Sequence, residues 1–416
     1  MIFKNTLEHA LLLDKQDKLR NYRKEFHLPK KKNGEHYIYL CGNSLGLQPK
    51  RTRTFLEQEL KDWAQLGVEG HMHAKNPWLH YHEFLAVGFS KIVGANPSEV
   101  VAMNSLTVNL HLMMVSFYRP EQKKFKIIIE DDAFPSDIYS VNSQIEHHGF
   151  DPQEALIKIK PRKGEFVLRT QDILKIIEEQ GDQIALIMLG GVNYYTGQVF
   201  DFKLITEKAH QKNITVGFDL AHGAGNIHLD LHNWDVDFAV WCSYKYLNSG
   251  PGSVAGAFIH ERHHNQNLHR FAGWWGHNKD NRFDMPDVFD PIQSAEGWQL
   301  SNPPILSLAA IRASLSIFDE VGMDSLVEKS NKMTEYLRFL LQKAKSNQIE
   351  IITPKNSGCQ LSIRVKNGSK KIFDQITKKG VISDWREPDV IRIAPAPLYN
   401  NYSDLFKFYK ILESVL

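Results

Sequence analysis

The chain has 416 residues, with 50 Lys and Arg against 48 Asp and Glu and a formal net charge of +2. This balance argues against a nucleic-acid-binding protein, which needs a concentrated basic surface. Three widely separated cysteines, Cys41, Cys242 and Cys359, exclude a disulfide framework and are typical of a reducing compartment.

The N-terminal region has mainly helical patterns. Its one short apolar patch, residues 10–13, lacks the long core of a signal peptide, and no stretch of the chain approaches a membrane span. We therefore expect a soluble cytoplasmic protein. Residues 51–66 place large apolar side chains at helical spacing, and residues 77–93 predict another helix with Pro77 at its start.

From about residue 97 to 260, short apolar runs alternate with helical segments. The predicted strands are 100–103, 127–129, 184–189, 214–218, 238–242 and 254–259. Apolar strands without alternation, separated by helices, predict a mainly parallel sheet covered on both faces. In such sheets ligands bind beyond the carboxyl ends of the strands. The residues that follow each strand are therefore candidates for a site.

The last third of the chain predicts long helices and a smaller α/β unit. The helical stretch runs from 303 to about 345, with an interruption near 321–322. After it come strands 349–352, 359–365, 381–384 and 390–393, with helices at 370–379 and from 404. We expect a large domain over 51–310, a small domain over 311–416, and an N-terminal segment, 1–50, that contributes to the small domain.

Three strand-end residues suggest chemistry. Asp219 ends the run TVGFD and could pair with a cationic ring nitrogen, although a loop carboxylate is the simpler interpretation. His222 follows three residues later and could equally be a structural histidine. Lys245, in SYKY after the apolar run FAVWC, is the most specific signal, because an amine in an apolar setting can form a Schiff base.

Two segments could bind phosphate. Residues 104–107 and 134–137 each open a helix after a strand, where free backbone N–H groups and hydroxyls hold phosphate, although ordinary helix capping explains them as well. A lysine carrier, an acid for a pyridinium, an aromatic to stack and a phosphate cup are together the requirements of pyridoxal phosphate (PLP).

Other motifs favour other functions only weakly. Residues 42–46 match the G-x-S-x-G elbow of serine hydrolases, but no helix is predicted to begin at the serine. Residues 250–255 resemble a dinucleotide fingerprint but precede a strand-like run. The pairs His71/His73 and His80/His82 lack a completing ligand cluster, so no metal site is predicted. The pairs His147-His148 and His263-His264 are interpreted as surface residues.

Taken together, the motifs resemble those of kynureninases, fold-type I PLP enzymes related in fold to the aspartate aminotransferases and closest to their cysteine-desulfurase-like branch. Ten segments carry the resemblance in the expected order: YLCGNSLGLQPK, GHMHAKNPW, MNSLTVNLHLMM, DDAFPSDIY, GGVNYYTGQVFD, GFDLAHGAGN, SYKYLNSGPGS, GWWGH, SNPPIL and RIAPAPLYN. They span residues 39–400. The implied fold is a seven-stranded, mainly parallel sheet flanked by helices, with a small C-terminal α/β domain.

The resemblance implies roles for individual residues. Lys245 would hold PLP covalently, Asp219 would pair with its ring nitrogen with support from His222, and Phe134 would stack on the ring. Tyr244 would bind phosphate or shuttle a proton, two roles that the sequence leaves equally open. The remaining implied cofactor residues are Leu106, Thr107, Pro135, Ser136, Asp137 and, across a homodimer interface, Trp274 and Asn302. Gly190 replaces a serine frequent in eukaryotic relatives, which leaves only a backbone contact there.

The implied reaction is hydrolysis of the Cβ–Cγ bond of kynurenine or 3-hydroxykynurenine. Arg392 would bind the substrate carboxylate, and Ser44, His71, Ser301 and Asn302 would complete the substrate site. Polar residues at the aryl end favour acceptance of 3-hydroxykynurenine, although His71 and Asn302 could serve only carboxylate or phosphate. The alternatives are another fold-type I reaction, such as a desulfurase or an aminotransferase, and a non-catalytic binding protein.

Overall fold

A seven-stranded sheet forms the centre of the computed structural model, which describes residues 2–344 and 346–416. The strands are β1 Ile38–Tyr39, β2 Val100–Ala102, β3 Lys126–Glu130, β4 Leu156–Ile159, β5 Ile184–Gly190, β6 Thr215–Asp219, β7 Phe238–Trp241, β8 Gly256–Ile259, β9 Ile349–Ile351, β10 Leu361–Val365, β11 Val381–Ile382, β12 Asp384–Arg386 and β13 Val390–Ile393. The helices are α1 Leu7–Gln16, α2 Thr52–Leu66, α3 Gly70–His73, α4 Ala86–Val93, α5 Leu106–Phe117, α6 Pro135–His147, α7 Pro152–Ala155, α8 Thr170–Gln180, α9 Phe202–His210, α10 Ile305–Val321, α11 Met323–Lys343, α12 Lys371–Lys378 and α13 Tyr402–Glu413.

The central sheet has the strand order β2-β8-β7-β6-β5-β3-β4. The strands from β7 to β4 run parallel, and β8 is antiparallel to both of its neighbours. The prediction of a mainly parallel sheet is therefore confirmed. Because β3, β5 and β6 are parallel, their last residues, Glu130, Gly190 and Asp219, lie along one edge of the sheet.

The apolar runs lack alternation because both faces of the sheet are buried. In β3, Ile128 packs into one hydrophobic core, whereas Ile127 and Ile129 pack into the core on the opposite face. In β5, Ile187 and Leu186 divide in the same way. Side chains alternate along a strand, so each face needs its own apolar set and its own helices.

A second, smaller sheet has the order β12-β13-β10-β9 and is antiparallel throughout. Its apolar core includes residues of α11 and α13 together with Ala10 and Leu13 of the N-terminal helix α1. Strand β1 also reaches this region and pairs in parallel with β11. The N-terminal segment thus packs with the C-terminal elements.

Two predicted elements differ in the structure. Residues 78–85 form a 3₁₀ helix before α4 instead of one long α-helix. Trp78 Nε1 and Tyr81 Oη both donate to the buried Glu59, at 3.0 Å each, and three residues per turn place both side chains on the same side.

The predicted strand 381–384 divides into two. Its first part, β11, pairs with β1, and Asp384 begins β12, which pairs with β13. This change of partner places Asp384 directly opposite Arg392. The predicted helical stretch to residue 345 ends as α11 at Lys343, and residue 345 lies outside the described residues.

The interpretation of His263-His264 as surface residues is wrong. His264 is 5% exposed and bonds the carbonyl of Ile259, and His263 lies 2.8 Å from the carboxylate of Asp237. Across the described part of the chain, no helix is both long enough and apolar enough to cross a membrane.

Candidate active site

A cleft with an empty volume of about 600 Å³ opens at the carboxyl ends of β3, β5 and β6. This volume lies in the range of small-molecule sites. The strand ends supply its floor, the first turns of α5 and α6 supply one wall, and the loop after β7 supplies Lys245. The lining residues are Leu106, Thr107, Glu130, Ala133, Phe134, Ser136, Asp137, Gly190, Val192, Asn193, Tyr194, Asp219, Ala221, His222, Tyr244 and Lys245.

Lys245 lies in a tight loop directly after β7. The loop is fixed at its base, because Ser243 Oγ bonds Ser253 Oγ at 2.7 Å and the N–H of Ser249 donates to Ser243. The amine of Lys245 is 3.1 Å from His222 Nε2 and 6.0 Å from the ring centre of Phe134. A nucleophilic amine therefore points into the cleft between an imidazole and an aromatic face.

His222 is buried and electrically neutral. Burial and the nearby cations, above all Lys245 and then Arg392, hold the pKa of His222 well below its usual value. Its Nδ1 lies 3.5 Å from the hydroxyl of Tyr246. A neutral imidazole can exchange hydrogen bonds with the lysine amine without repelling it.

Two carboxyl groups, Asp219 and Asp137, meet on the floor of the cleft. Asp219 is 6% exposed and accepts the N–H of Ala221 at 2.7 Å. Burial raises the pKa of Asp219; burial and the charge of Asp219 raise the pKa of Asp137 well above its usual value. Asp137 Oδ1 is buried and has no hydrogen-bond partner among the described residues. This pair is suited to a cationic N–H group that would enter the cleft.

Sequence reasoning missed Glu130, the third acid of the floor. Glu130 is 3% exposed, and its Oε1 accepts the N–H of Gly190 at 3.1 Å. Burial raises its pKa to about 8. It ends the apolar run IIIE, so the strand-end rule that identified Asp219 could have found it. Gly190 lines the cleft, but its N–H is already donated to this acid.

The first turns of α5 and α6 converge on the cleft. Thr107 Oγ1 and Ser136 Oγ are 2.8 Å apart, and Tyr244 lines the same cavity. Unpaired N–H groups in the first turn of a helix, together with hydroxyls, favour an anion. The two predicted phosphate segments therefore form a single cup.

Several predicted residues do not line this cleft. Pro135 is the exposed first residue of α6, Ser44 is exposed, and His71 packs edge-on against Trp78. Trp274 is 40% exposed and donates from Nε1 to the carbonyl of Arg282 at 3.0 Å. Ser301 and Asn302 are exposed as well. None of these six residues therefore lines the cleft of its own chain.

Arg392 is not a surface charge, because it is 1% exposed. Its Nε donates to Asp384 Oδ1 at 2.7 Å, and its Nη1 donates to the carbonyl of Tyr194, also at 2.7 Å. Tyr194 lines the cleft and packs edge-on against Phe134. The guanidinium is thus bonded to a residue of the cleft wall but does not itself line the cleft. Neither Asp384 nor Tyr194 was found from the sequence.

The structure also describes two of the motifs that weakly favoured other functions, the G-x-S-x-G match at residues 42–46 and the pair His80/His82. No helix begins at Ser44, because the chain after it is irregular until α2 begins at Thr52, so this segment has no nucleophile elbow. The prediction that no acid cluster completes the His80/His82 pair is wrong, because His82, Glu83 and Glu296 place possible ligand atoms within 4.8 Å of one another. His82 Nε2 lies 2.8 Å from Glu296, and the ammonium of Lys279 lies 2.7 Å from the same carboxylate. The lysine therefore supplies the positive charge beside this acid.

The residues present fit PLP. An amine, a flanking aromatic ring, a hydroxyl-lined cup and a pair of acids with raised pKa surround one cavity, and the orphaned Asp137 oxygen is unsatisfied without a ligand. Each matches one group of the cofactor: its aldehyde, its ring face, its phosphate and its ring nitrogen.

Comparisons with known proteins agree on one family. The family described as "Kynureninase C-terminal domain" matches residues 326–412. A kynureninase of Flavobacterium psychrophilum is 55% identical over 99% of both chains, and one of Myxococcus xanthus is 54% identical over 99% of this chain and 98% of its own. A kynureninase of Nematostella vectensis is 46% identical over 98% of this chain and 93% of its own.

Solved structures support the fold. A cystine C–S lyase bound to its product, cysteine persulfide, has a TM-score of 0.77 at 14% identity and covers 90% of this chain and 97% of its own. A cysteine desulfurase from Escherichia coli has a TM-score of 0.76 at 16% identity and covers 95% of this chain and 98% of its own.

Proposed function

The chain belongs to the kynureninase family, and from this premise we propose which of its residues perform the reaction. The enzyme is a PLP-dependent hydrolase that cleaves the Cβ–Cγ bond of kynurenine, giving anthranilate and alanine. One observation supports the assignment of roles above all. Lys245, His222, Asp219 and Asp137 converge in one cleft at the carboxyl edge of the sheet.

PLP, when bound, supplies the electron sink for the bonds that break at the substrate. Lys245 would hold the cofactor covalently through its amine, and in its free form this amine would take the proton from the substrate Cα. Asp219, with Asp137 beside it, would accept a charge-assisted hydrogen bond from the protonated ring nitrogen. His222 orients the lysine amine at Nε2.

Tyr244 has two candidate roles that the geometry leaves open. Its hydroxyl could bind phosphate, or it could carry a proton to the leaving group. Burial raises the pKa of Tyr244, so its hydroxyl keeps its proton at neutral pH and is available as a donor. A Tyr244→Phe variant separates these roles, because loss of phosphate binding weakens PLP affinity, whereas loss of a proton donor lowers kcat at unchanged PLP affinity.

A second chain would supply part of the substrate site. We propose a homodimer in which Trp274 and Asn302 complete the partner's cleft, together with His71 and Ser301, whereas Ser44 serves its own chain, where it lies beside Cys41 and Arg392. Trp274, Ser301 and Asn302 are all exposed in the single chain, which is consistent with an interface. The polar aryl end should accept 3-hydroxykynurenine at least as well as kynurenine, and kcat/KM for the two substrates tests this. A strong preference for kynurenine would contradict it.

The division into a large domain, 51–310, and a small domain, 311–416, joined by the segment 1–50, stays a proposal. The shared core of α1, α11 and α13 supports it. Three buried thiols support a cytoplasmic location. A role in tryptophan catabolism or in supplying pyridine-nucleotide synthesis is consistent with the products.

A desulfurase is the alternative within this fold, and it requires an exposed, reactive thiolate. Cys41, Cys242 and Cys359 are all buried. Burial raises the pKa of Cys41 and of Cys359 to about 12, and it also raises that of Cys242. The chemistry of these thiols argues against a sulfur-transfer reaction.

Cofactor attachment provides the direct test. The purified protein should be yellow, and borohydride should fix PLP to it but not to Lys245→Ala. Lys175→Ala, an exposed lysine of α8 on the surface, is the matched control and should be labelled like the wild type. Release of fluorescent anthranilate from kynurenine then identifies the reaction. Colourless protein that PLP cannot reconstitute would refute the assignment.

A further inference from the structure

Three charged side chains share one face of the small sheet beside the cleft. Strands β12 and β13 are antiparallel, and Asp384 lies directly opposite Arg392. Arg386 is two residues after Asp384 on the same strand, so it points to the same face. Trp385 and Ile391, the pair between them, point to the opposite face and pack against the core of the small sheet.

Arg392 is held by several hydrogen bonds but still has free N–H donors. A guanidinium has five N–H donors. Its Nε and Nη2 donate to the two oxygens of Asp384, and Nη1 donates to Tyr194. This leaves two N–H bonds, one on each terminal nitrogen, for another acceptor.

The N–H donors of Arg386 have fewer hydrogen-bond partners than those of Arg392. Its Nη2 lies 3.5 Å from Asp384 Oδ2, at the limit of a hydrogen bond, and its Nε is buried with no partner among the described residues. Its side chain is 36% exposed. A guanidinium with a buried orphan donor indicates a missing acceptor.

The charges do not balance either. Within residues 2–344 and 346–416, the ion pairs of Arg386 and Arg392 are both with Asp384, so one negative charge faces two positive charges. Among the titratable groups near this pair, burial raises the pKa of Cys41 to about 12 and also raises the pKa values of Tyr194 and Asp132, while burial and nearby cations hold the pKa of His222 well below its usual value. Both arginines lie close enough to His222 and Tyr194 to lower their pKa values.

We propose that Arg386 is a second substrate-binding guanidinium, which shares the α-carboxylate of the substrate with Arg392, and that Asp384 is the positioning residue that holds both. This inference rests on the proposed function, because it assumes an amino-acid substrate in the cleft. One carboxylate neutralises the excess charge and satisfies the open donors of both arginines. A merely structural ion pair would leave ligand binding unchanged when Arg386 is replaced.

The test uses the holoenzyme and two ligands that differ only in charge. The keto acid 3-(2-aminobenzoyl)propanoate keeps the aryl ketone and carboxylate but lacks the α-amine, so it cannot displace Lys245 from the cofactor. Its carboxamide is the neutral counterpart. Calorimetric affinities for both ligands should be measured for wild type, Arg386→Gln and Arg386→Lys.

Arg386→Gln should weaken keto-acid binding about 10- to 100-fold, the range of a hydrogen bond to a charged group, and leave the carboxamide unchanged. Arg386→Lys should be intermediate, because it keeps the charge without the fork. Arg364→Gln is the matched control, since Arg364 lies on the same small sheet with 34% exposure but is paired with Asp389 at 2.8 Å. It should bind both ligands like the wild type.

Asp384 is tested by its conservative variant. Asp384→Asn should raise KM for kynurenine more than it lowers kcat, and Asp384→Glu should recover part of the KM. An Arg386→Gln protein that binds both ligands like the wild type, or loses both equally, overturns the inference. A wild type that neither binds the keto acid nor cleaves kynurenine overturns the proposed function itself.

Discussion

Three carboxyl groups lie on the floor of the cleft, and their pKa values indicate that the site is suited to a cationic group. Glu130, Asp137 and Asp219 all have raised pKa values, each with burial as the largest cause. Buried acids of this kind destabilise the ionised apo-protein and favour a bound cation. At the residue scale, these raised pKa values support the proposal that the acids face the ring nitrogen of the cofactor.

Glu130 provides a stability test of this view. Its folded pKa of about 8 lies above the ordinary value of 4.5, so the folded state binds more protons between these pH values, and stability falls as pH rises through this window. Glu130→Gln keeps the acceptor for the N–H of Gly190 but cannot ionise. In the apo-protein it should flatten this pH dependence, and it should gain up to a few kcal/mol over the wild type at pH 8.5.

Urea unfolding of both apo-proteins at pH 5 and pH 8.5 measures this difference. Glu154→Gln, an exposed glutamate of α7, is the control and should follow the wild type at both pH values. An equal loss of stability with rising pH in Glu130→Gln and in the wild type would show that another group titrates.

At the scale of elements, one carboxylate ties the amino ends of the strands together. Asp237, just before β7, is 5% exposed and accepts from the N–H of Val216 in β6 at 2.7 Å. It also bonds His210 of α9 at 3.0 Å, and Arg262 and His263 after β8 at 2.6 and 2.8 Å. These bonds and charges hold the pKa of Asp237 far below its usual range, against the effect of burial.

Asp237→Ala should lower the free energy of unfolding by about 3–5 kcal/mol, because it leaves the charge of Arg262 without its buried partner. Asp235→Ala is the control, since Asp235 contacts the same arginine but is 61% exposed, and it should cost under about 1 kcal/mol. Because the pKa of Asp237 is depressed, its contribution is present above the unfolded pKa and is lost as pH falls below it. Unfolding at pH 7 and pH 3 should show the difference between wild type and variant shrinking in acid.

At the scale of the whole molecule, the proposed homodimer would complete the cleft of each chain. Trp274 and Asn302 do not line it, although the family resemblance gives them cofactor roles. In a two-fold symmetric dimer each interface residue is presented to the partner, so two clefts can be completed reciprocally.

Subunit complementation tests this arrangement. Lys245→Ala and Asn302→Ala should each be inactive or nearly so, but co-expressed they should recover about a quarter of wild-type activity, because half of the dimers contain one intact site. Co-expression of Lys245→Ala with Asp219→Ala should recover no activity, because both residues belong to the cleft of the same chain. Recovery in neither mixture would place Asn302 and Lys245 in the same subunit's site.

The sequence by itself determined the sheet and the main chemical groups of the cleft. Lys245 and Asp219 were found because apolar runs mark strands and parallel strands bring their carboxyl ends to one edge. The order of the ten motifs along the chain indicated the family by resemblance. Apolar runs lie within short segments, and the order of the motifs follows the chain, so neither signal depends on how distant segments pack.

Only the tertiary structure decided which distant residues meet. Arg392 donates to Tyr194, 198 residues away, and Asp384 faces Arg392 only because the strand 381–384 divides between two sheets. Glu130 follows the strand-end rule, yet its raised pKa depends on burial that composition does not reveal. Periodicity reports which face of an element is buried, whereas long-range contacts depend on how the elements pack, and that packing decided which charges share the cleft.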